Sequence, residues 1–310
     1  MKTRRLGRSG LEASIVGIGC NNFGGRSGPE ATRAVISKAL DCGITLFDTA
    51  DVYGERGGSE SLMGEFLGAR RKEIVLASKF GLPMDQGRKK GGSRRYIMEA
   101  VEASLKRLRT DWLDLYQMHQ PDPATPIEET LRALDDLVRQ GKVRYIGCSN
   151  FAGWQLTDAL WTSRMGGLEQ FISCQNEYSL VERGIEADLV PAMQHHGASL
   201  LPFYPLAGGL LTGKYFDDPQ AQGRLTAFPA MAKRHMNERK RTIAGQLDAY
   251  AKSQGHTLLE LSMSWLANLP YVGSVIAGAS NPAQVEANVK SVSWAMSAQD
   301  MAEIDRITRS

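Results

Sequence analysis

Four side chains of different titratable type, Asp48, Tyr53, Lys79 and His119, define the chemistry open to this 310-residue sequence. Each ends a short apolar run or stands in the segment just beyond one. A tyrosine can deliver a proton, although an unperturbed phenol pKa of about 10 makes it a sluggish acid near neutrality. A lysine ammonium beside it would favour phenolate and lower that pKa, and a carboxylate would keep the lysine charged and oriented. A histidine can hydrogen-bond the oxygen that receives the proton. The set would thus supply an acid, a tuning charge, an orienter and a polariser for one oxygen atom. Carbonyl reduction needs this combination, because hydride goes to carbon while a proton goes to oxygen. Singly, each residue has an ordinary structural explanation: Asp48 as a helix cap, Tyr53 as packing, Lys79 as a snorkelling surface residue, His119 as a satisfied histidine beside Pro121. Four such types at equivalent places along the chain argue for a site.

To converge, these residues need a scaffold that gathers distant strand ends. The apolar runs at 15–19, 44–47, 74–77, 113–118, 143–148, 171–174, 199–203 and 272–276 read as eight strands. Between them the spacing turns helical, as in Ala31, Val35, Ala39 and Cys42, or Ile97, Val101, Leu105 and Leu108. Thr125, Pro126 and Glu128 read as an N-cap, an N1 proline and a capping-box acid, with Gly141 at the far end as a terminal glycine. Strands alternating with helices require parallel pairing through right-handed crossovers. The expected fold class is therefore α/β, a closed (β/α)8 TIM barrel with an N-terminal β-hairpin and extra C-terminal helical segments, with residues 1–310 forming one domain. Its strand ends share one face, the face on which such barrels carry out chemistry. An open doubly wound sheet usually carries a phosphate loop after its first strand, and GIGCNNFGG lacks the GxGxxG spacing.

Composition narrows the partners. Net charge is +3, with both signs interspersed, which argues against nucleic acid as the main partner. The basic stretch Arg88, Lys89, Lys90, Arg94 and Arg95 reads as a solvated loop. Cys20, Cys42, Cys148 and Cys174 follow neither a disulfide nor a zinc spacing, so no metal site is expected and a cytoplasmic setting is the simplest. The opening MKTRRLGRSG raises the possibility of a twin-arginine or lipoprotein signal. Glu12 and Ser14 interrupt any apolar core, so a short hairpin turning at Arg8, Ser9 and Gly10 is expected instead, with no membrane span.

DTADVYG at 48–54, ASKFG at 77–81, YQMHQPD at 116–122 and GCSNF at 147–151 resemble the signatures of the aldo-keto reductase superfamily, in the family's order and over essentially the whole chain. The resemblance implies an NADPH-dependent reductase of aldehydes or ketones, with Asp48, Tyr53, Lys79 and His119 as the catalytic tetrad and Tyr53 as general acid. It implies that Ser149 and Asn150 hold the nicotinamide carboxamide, that Gln175 supports it, and that Tyr204 stacks on the ring. The segment 203–215 resembles the loop that wraps the cofactor pyrophosphate, with Pro205, Leu206, Ala207, Gly208 and Lys214 as contacts; Arg224 matches an arginine that reaches the adenosine phosphate. Gly278, Ser280, Gln284 and Asn288 match further cofactor contacts, where a helix N-terminus suits an anion. The chain departs from the family pattern at Ala277, where proline is usual, at Ala287, where glutamate is usual, and at Gln284, where some members have arginine. NADPH is expected over NADH because Lys214 and Arg224 bring two positive charges and no acid is evident for a free ribose hydroxyl. The rival readings are a cofactor-binding regulatory subunit with slow turnover and a Schiff-base aldolase or lyase barrel using Lys79. The partner is a small-molecule carbonyl, selected by the segments 20–28, 82–95 and 217–241.

Overall fold

The computed structural model describes residues 1–85, 89–218 and 220–309. The chain opens with an antiparallel hairpin of β1 (Thr3–Arg5) and β2 (Glu12–Ser14), closed by the Leu6 amide donating to the Leu11 carbonyl at 2.8 Å. Eight parallel strands follow: β3 (Val16–Gly19), β4 (Leu46–Asp48), β5 (Val75–Phe80), β6 (Leu113–Met118), β7 (Val143–Ser149), β8 (Phe171–Gln175), β9 (Ser199–Leu200) and β10 (Val275–Gly278). Their order in the sheet is β10-β3-β4-β5-β6-β7-β8-β9, chain order with the last strand beside the first. This is the arrangement of a (β/α)8 barrel. The seam between β9 and β10 is not a ladder. It consists of the Leu200–Val272 bridge, with the Gly273 amide donating to Leu200 at 2.9 Å and the Ile276 amide to Pro202 at 3.2 Å.

Alternation along the strands divides the side chains between two cores. Leu46, Val75, Ala77, Leu115 and Ile276 point to one side, where they meet Leu6 and Ala13 of the hairpin. Phe47, Leu76, Tyr116 and Ile146 point to the other, against helices. The helix Pro29–Asp41 buries Val35, Ile36 and Ala39; Arg94–Leu108 buries Ile97, Val101, Leu105 and Leu108. Two residues beyond Leu46, Ala77 and Leu115, the same alternation turns Asp48, Lys79 and Gln117 inward, so a polar layer succeeds an apolar one.

Several local expectations need correction. Lys79, Ser149 and Gln175 lie inside β5, β7 and β8, because the strands continue past their apolar runs. The expected strand at 199–203 shortens to Ser199–Leu200, and that at 272–276 moves to Val275–Gly278. The helix Ile127–Arg139 starts one residue late: Pro126 occupies the N-cap, and Thr125 instead donates its hydroxyl to Asp122 at 2.7 Å. Arg94 and Arg95 open a helix and pair with Asp136 and Glu99; Arg88 lies outside the described residues. The segment 217–241 carries helices Arg224–Ala227 and Pro229–His235 and the start of Glu238–Ser253. Cys148 and Cys174, 26 residues apart, are register partners with their Sγ atoms 3.5 Å apart, both as free thiols. Among the described residues, no helix is long and apolar enough to cross a membrane.

Candidate active site

Asp48 ends β4 and Lys79 sits one residue before the end of β5, so both are fixed by ladder hydrogen bonds. The Lys79 Nζ donates to Asp48 Oδ2 at 2.6 Å, to the Thr49 carbonyl at 2.9 Å and to the Tyr53 hydroxyl at 3.3 Å. The second oxygen of Asp48 accepts from Gln117 Nε2 at 3.1 Å and from Gln175 Nε2 at 2.9 Å. Lys79, Asp48, Thr49, Gln117 and Gln175 are all buried. Gln117 was not singled out from the sequence; its signal was a glutamine in register with the inward Leu115.

Tyr53 reaches this group because the backbone after it takes an unusual path. Gly54, Glu55, Arg56 and Gly57 all have positive φ, 65°, 60°, 67° and 113°, a left-handed turn before the helix resumes. At Gly54 a Cβ would stand 2.4 Å from the Phe23 carbonyl, so only glycine lets the loop after β3 press against this turn. His119, one residue past β6, sets its ring edge-on to Tyr53 with centroids 5.6 Å apart.

Electrostatics differ from the simplest expectation. Burial pushes the Lys79 ammonium down; the Asp48 carboxylate, with Tyr53, outweighs that and holds it above its ordinary range. For Tyr53, burial is the largest influence and pushes the phenol up. Lys79 pulls it back, Asp48 opposes Lys79, and the balance lies above the ordinary value. The expectation of a lowered phenol pKa is thus corrected: burial outweighs the Lys79 ammonium, and Asp48 cancels part of its field, so Lys79 lowers the value only relative to a buried phenol without an ammonium. His119 is pushed down to about 3 by burial and by Lys79, so its ring is neutral; its Nδ1 is buried without a hydrogen-bond partner.

From these residues a cleft of about 740 Å³ runs to the helix Pro282–Lys290. It brings together Ser149, Asn150, Gln175, Tyr204, Pro205, Leu206, Gly208, Lys214, Arg224, Gly278, Ser280, Gln284 and Asn288. Ala207 does not line it and is buried. Ser149 donates to the Gln175 carbonyl at 2.8 Å, and Asn150 to the His119 carbonyl at 2.9 Å, so adjacent strand ends brace one another. Asn150, Tyr204 and Ala207 have φ of 60°, 52° and 46°, left-handed values that cost non-glycine residues energy and cluster where a ligand must be met. Asn281 caps the helix Pro282–Lys290, and the Gln284 side chain folds back to accept from Ser280 at 3.1 Å. Arg224 donates to Asn22 at 2.7 Å and lies 5.7 Å from the Tyr204 ring centroid. Asn21, Asn22 and Arg26 of the segment 20–28 and Gln222 of the segment 217–241 also line the cleft, though none of them was an individual site candidate.

The donor set fits a dinucleotide. An aromatic ring, amide groups and a hydroxyl stand beside the Tyr53 and His119 end, while Lys214 and Arg224 bring positive charge to the same cleft.

The model of the Aldo/keto reductase family matches residues 15–309. Among curated proteins, the chain is 35% identical to a protein named probable voltage-gated potassium channel subunit beta from Arabidopsis thaliana, over 94% of this chain and 91% of that one. It is 32% identical to L-glyceraldehyde 3-phosphate reductase of Escherichia coli (strain K12), over 99% and 92%. It is 33% identical to Aldo-keto reductase YhdN of Bacillus subtilis (strain 168), over 99% and 93%.

Proposed function

The chain belongs to the aldo/keto reductase family and is an NAD(P)H-dependent reductase, and from that premise we propose that it reduces an aldehyde or ketone with NADPH, Tyr53 acting as general acid. The observation that carries the reading is the contact of Tyr53 with a lysine that is itself bound by Asp48, beside a neutral His119, at one end of a long cleft. When bound, the nicotinamide supplies the hydride. Ser149, Asn150 and Gln175 fix its carboxamide, and Tyr204 covers its ring. His119 and Tyr53 hold the substrate oxygen, and as that oxygen gains negative charge the Tyr53 hydroxyl gives up its proton to it. The phenolate left behind faces the Lys79 ammonium, which stabilises it. Solvent then returns the proton. A Schiff base on Lys79 runs against its pairing with Asp48, because imine formation needs the neutral amine.

Lys214 and Arg224 support NADPH over NADH, and the tight seat of the tetrad supports catalysis over passive binding. The test is NADPH and NADH oxidation against a panel of aldehydes, ketones, dicarbonyls and sugars, with dissociation constants for both nucleotides. Turnover with at least one carbonyl and tighter NADPH binding are expected; equal nucleotide affinities would contradict the cofactor assignment.

One observation favours a second reading, a cofactor-binding subunit that turns over slowly. On the helix Gly153–Gly166, Trp154, Trp161 and Met165 are 69%, 50% and 82% exposed. At about 100° per residue, spacings of seven and eleven place all three on one face, where solvent-facing apolar bulk is costly unless covered. NADPH bound tightly with no turnover across the panel would favour this reading.

A further inference from the structure

Gln117 and Gln175 fix Asp48, and Asp48 fixes Lys79, but Tyr53 approaches them from outside the sheet. Its hydroxyl meets the Lys79 Nζ at 3.3 Å, the longest of the three Lys79 hydrogen bonds. The turn that follows it holds Glu55 and Arg56 at φ of 60° and 67°. Non-glycine residues stay in the left-handed region only where their surroundings over-determine it.

One face of the helix Arg94–Leu108 supplies those surroundings. In its first turn the Tyr96 hydroxyl donates to Asp51 Oδ2 at 3.2 Å, two residues before Tyr53. In its last turn Arg107 Nε donates to Glu60 Oε2 at 2.7 Å, seven residues after Tyr53, while Nη2 donates to Ser104 of the same helix at 3.3 Å. Tyr96 and Arg107 are eleven positions apart, three turns at about 100° per residue, so both point to the same side. Two glycines bring the chains into contact: a Cβ at Gly57 would stand 2.6 Å from Arg107 Cδ, and one at Gly64 would overlap the Arg107 carbonyl oxygen. The other oxygen of Glu60 accepts from Ser78, the residue before Lys79, at 2.5 Å. Asp51, Glu60 and Tyr96 are buried, and neither they nor Arg107 line the cleft. A single helix thus grips the Tyr53 turn on both sides and reaches the Lys79 strand through Glu60.

We propose that Tyr96 and Arg107 are positioning residues for the reaction: through Asp51 and Glu60 they hold the segment 51–60 so that the Tyr53 hydroxyl stays within reach of the Lys79 ammonium. This rests on the reductase reading of Tyr53 and names residues outside the tetrad on which that reading depends. A displacement of about 1 Å at a reacting group can lower a rate by on the order of 10²-fold. The Tyr53–Lys79 contact already lies near the outer limit of a hydrogen bond, so a slack turn loses it first. The Tyr96 hydroxyl donates equally to a carboxylate or to a protonated carboxyl, so its grip persists as Asp51 titrates.

The test compares wild type with Tyr96→Phe, which removes one oxygen atom, and with Arg107→Met and Arg107→Lys, by kcat and KM for 4-nitrobenzaldehyde and by the dissociation constant for NADPH. A fall in kcat of about tenfold is expected in Tyr96→Phe and Arg107→Met, with KM and NADPH affinity within about twofold of wild type and part of the loss recovered in Arg107→Lys. Tyr96→Phe carries the test alone should Arg107→Met fail to fold with Glu60 left buried beside no cation. A role in stability alone would lower activity in any background, so Tyr96→Phe is also combined with Tyr53→Phe, where no further fall in kcat is expected. An unchanged kcat in Tyr96→Phe, or an equal fall in the Tyr53→Phe background, would overturn the assignment. One readout needs no turnover: the NMR resonance of Tyr53 in protein isotope-labelled at the tyrosine Cζ, identified by its loss in Tyr53→Phe. That resonance is expected to move in Tyr96→Phe. Movement without turnover in wild type would fault the reductase reading and leave the positioning standing, whereas an unmoved resonance overturns the positioning whatever the turnover.

Discussion

Tyr53 is held between burial, which raises its pKa, and the Lys79 ammonium, which lowers it, with Asp48 taking back part of that gain. The outcome suits the general acid proposed above: the phenol keeps its proton through the neutral range, where a developing alkoxide could draw it. His119, pushed down to about 3, stays neutral over the same range, and Lys79 stays charged. None of these three groups changes charge between about pH 5 and 9, so kcat/KM for reduction is expected to be flat there and to fall at higher pH as Tyr53 ionises. A pH profile with a midpoint near 6.5, the ordinary histidine value, would contradict the neutral, buried His119. At this scale the sequence was legible where a titratable type broke an apolar run, as at Asp48, Lys79 and His119. It was illegible at Gln117, an uncharged residue whose meaning is its inward direction, and at the Tyr53 pKa, where the sign depends on how much charge a buried pair cancels.

Each element has its own device for aiming these side chains. The turn at 54–57 swings Tyr53 toward Lys79, and behind it lies a second buried group that no reading of the sequence singled out. Asp51 accepts from the Tyr96 hydroxyl at 3.2 Å with one oxygen, while its other oxygen is buried without a partner. Burial first, and Glu60 second, push it from 3.8 up to about 7. Glu60 is itself held by Arg107 at 2.7 Å and Ser78 at 2.5 Å. Because the folded-state value is raised, the folded protein binds a proton at Asp51 between 3.8 and about 7 that the unfolded chain has released. Its contribution to stability is therefore present at the acid end of that window and lost as pH rises through about 7. Asp51→Asn removes the titration, so the Tm difference, variant minus wild type, is expected to grow by on the order of 2 °C or more from pH 5 to 8. Thermal scans at both pH values check it, and parallel curves would contradict the buried, ionisable Asp51. The strand cores were legible from β-branched and aliphatic runs. Their ends were not, because the strands continue into polar residues that face the site.

Across the molecule, alternating strand and helix patterns revealed the parallel order, because short crossovers leave each strand beside its predecessor. The seam between β9 and β10 and the two short helices within 217–241 were not legible, since a single bridge and helices of four and seven residues carry little periodicity. That arrangement puts Asp48, Tyr53 and His119 at one end of a cleft lined by Arg26, Lys214 and Arg224, where the proposed function has nucleotide and carbonyl meet. The account stands on one atom, the Tyr53 hydroxyl oxygen, as the source of the proton. The most direct measurement compares wild type with Tyr53→Phe, determining kcat/KM for the best carbonyl substrate and the dissociation constant for NADPH in the same preparations. A loss of about 10²-fold or more in kcat/KM, with NADPH affinity within about twofold of wild type, is the result expected of a general acid. A variant that retains most of its kcat/KM would contradict the mechanism.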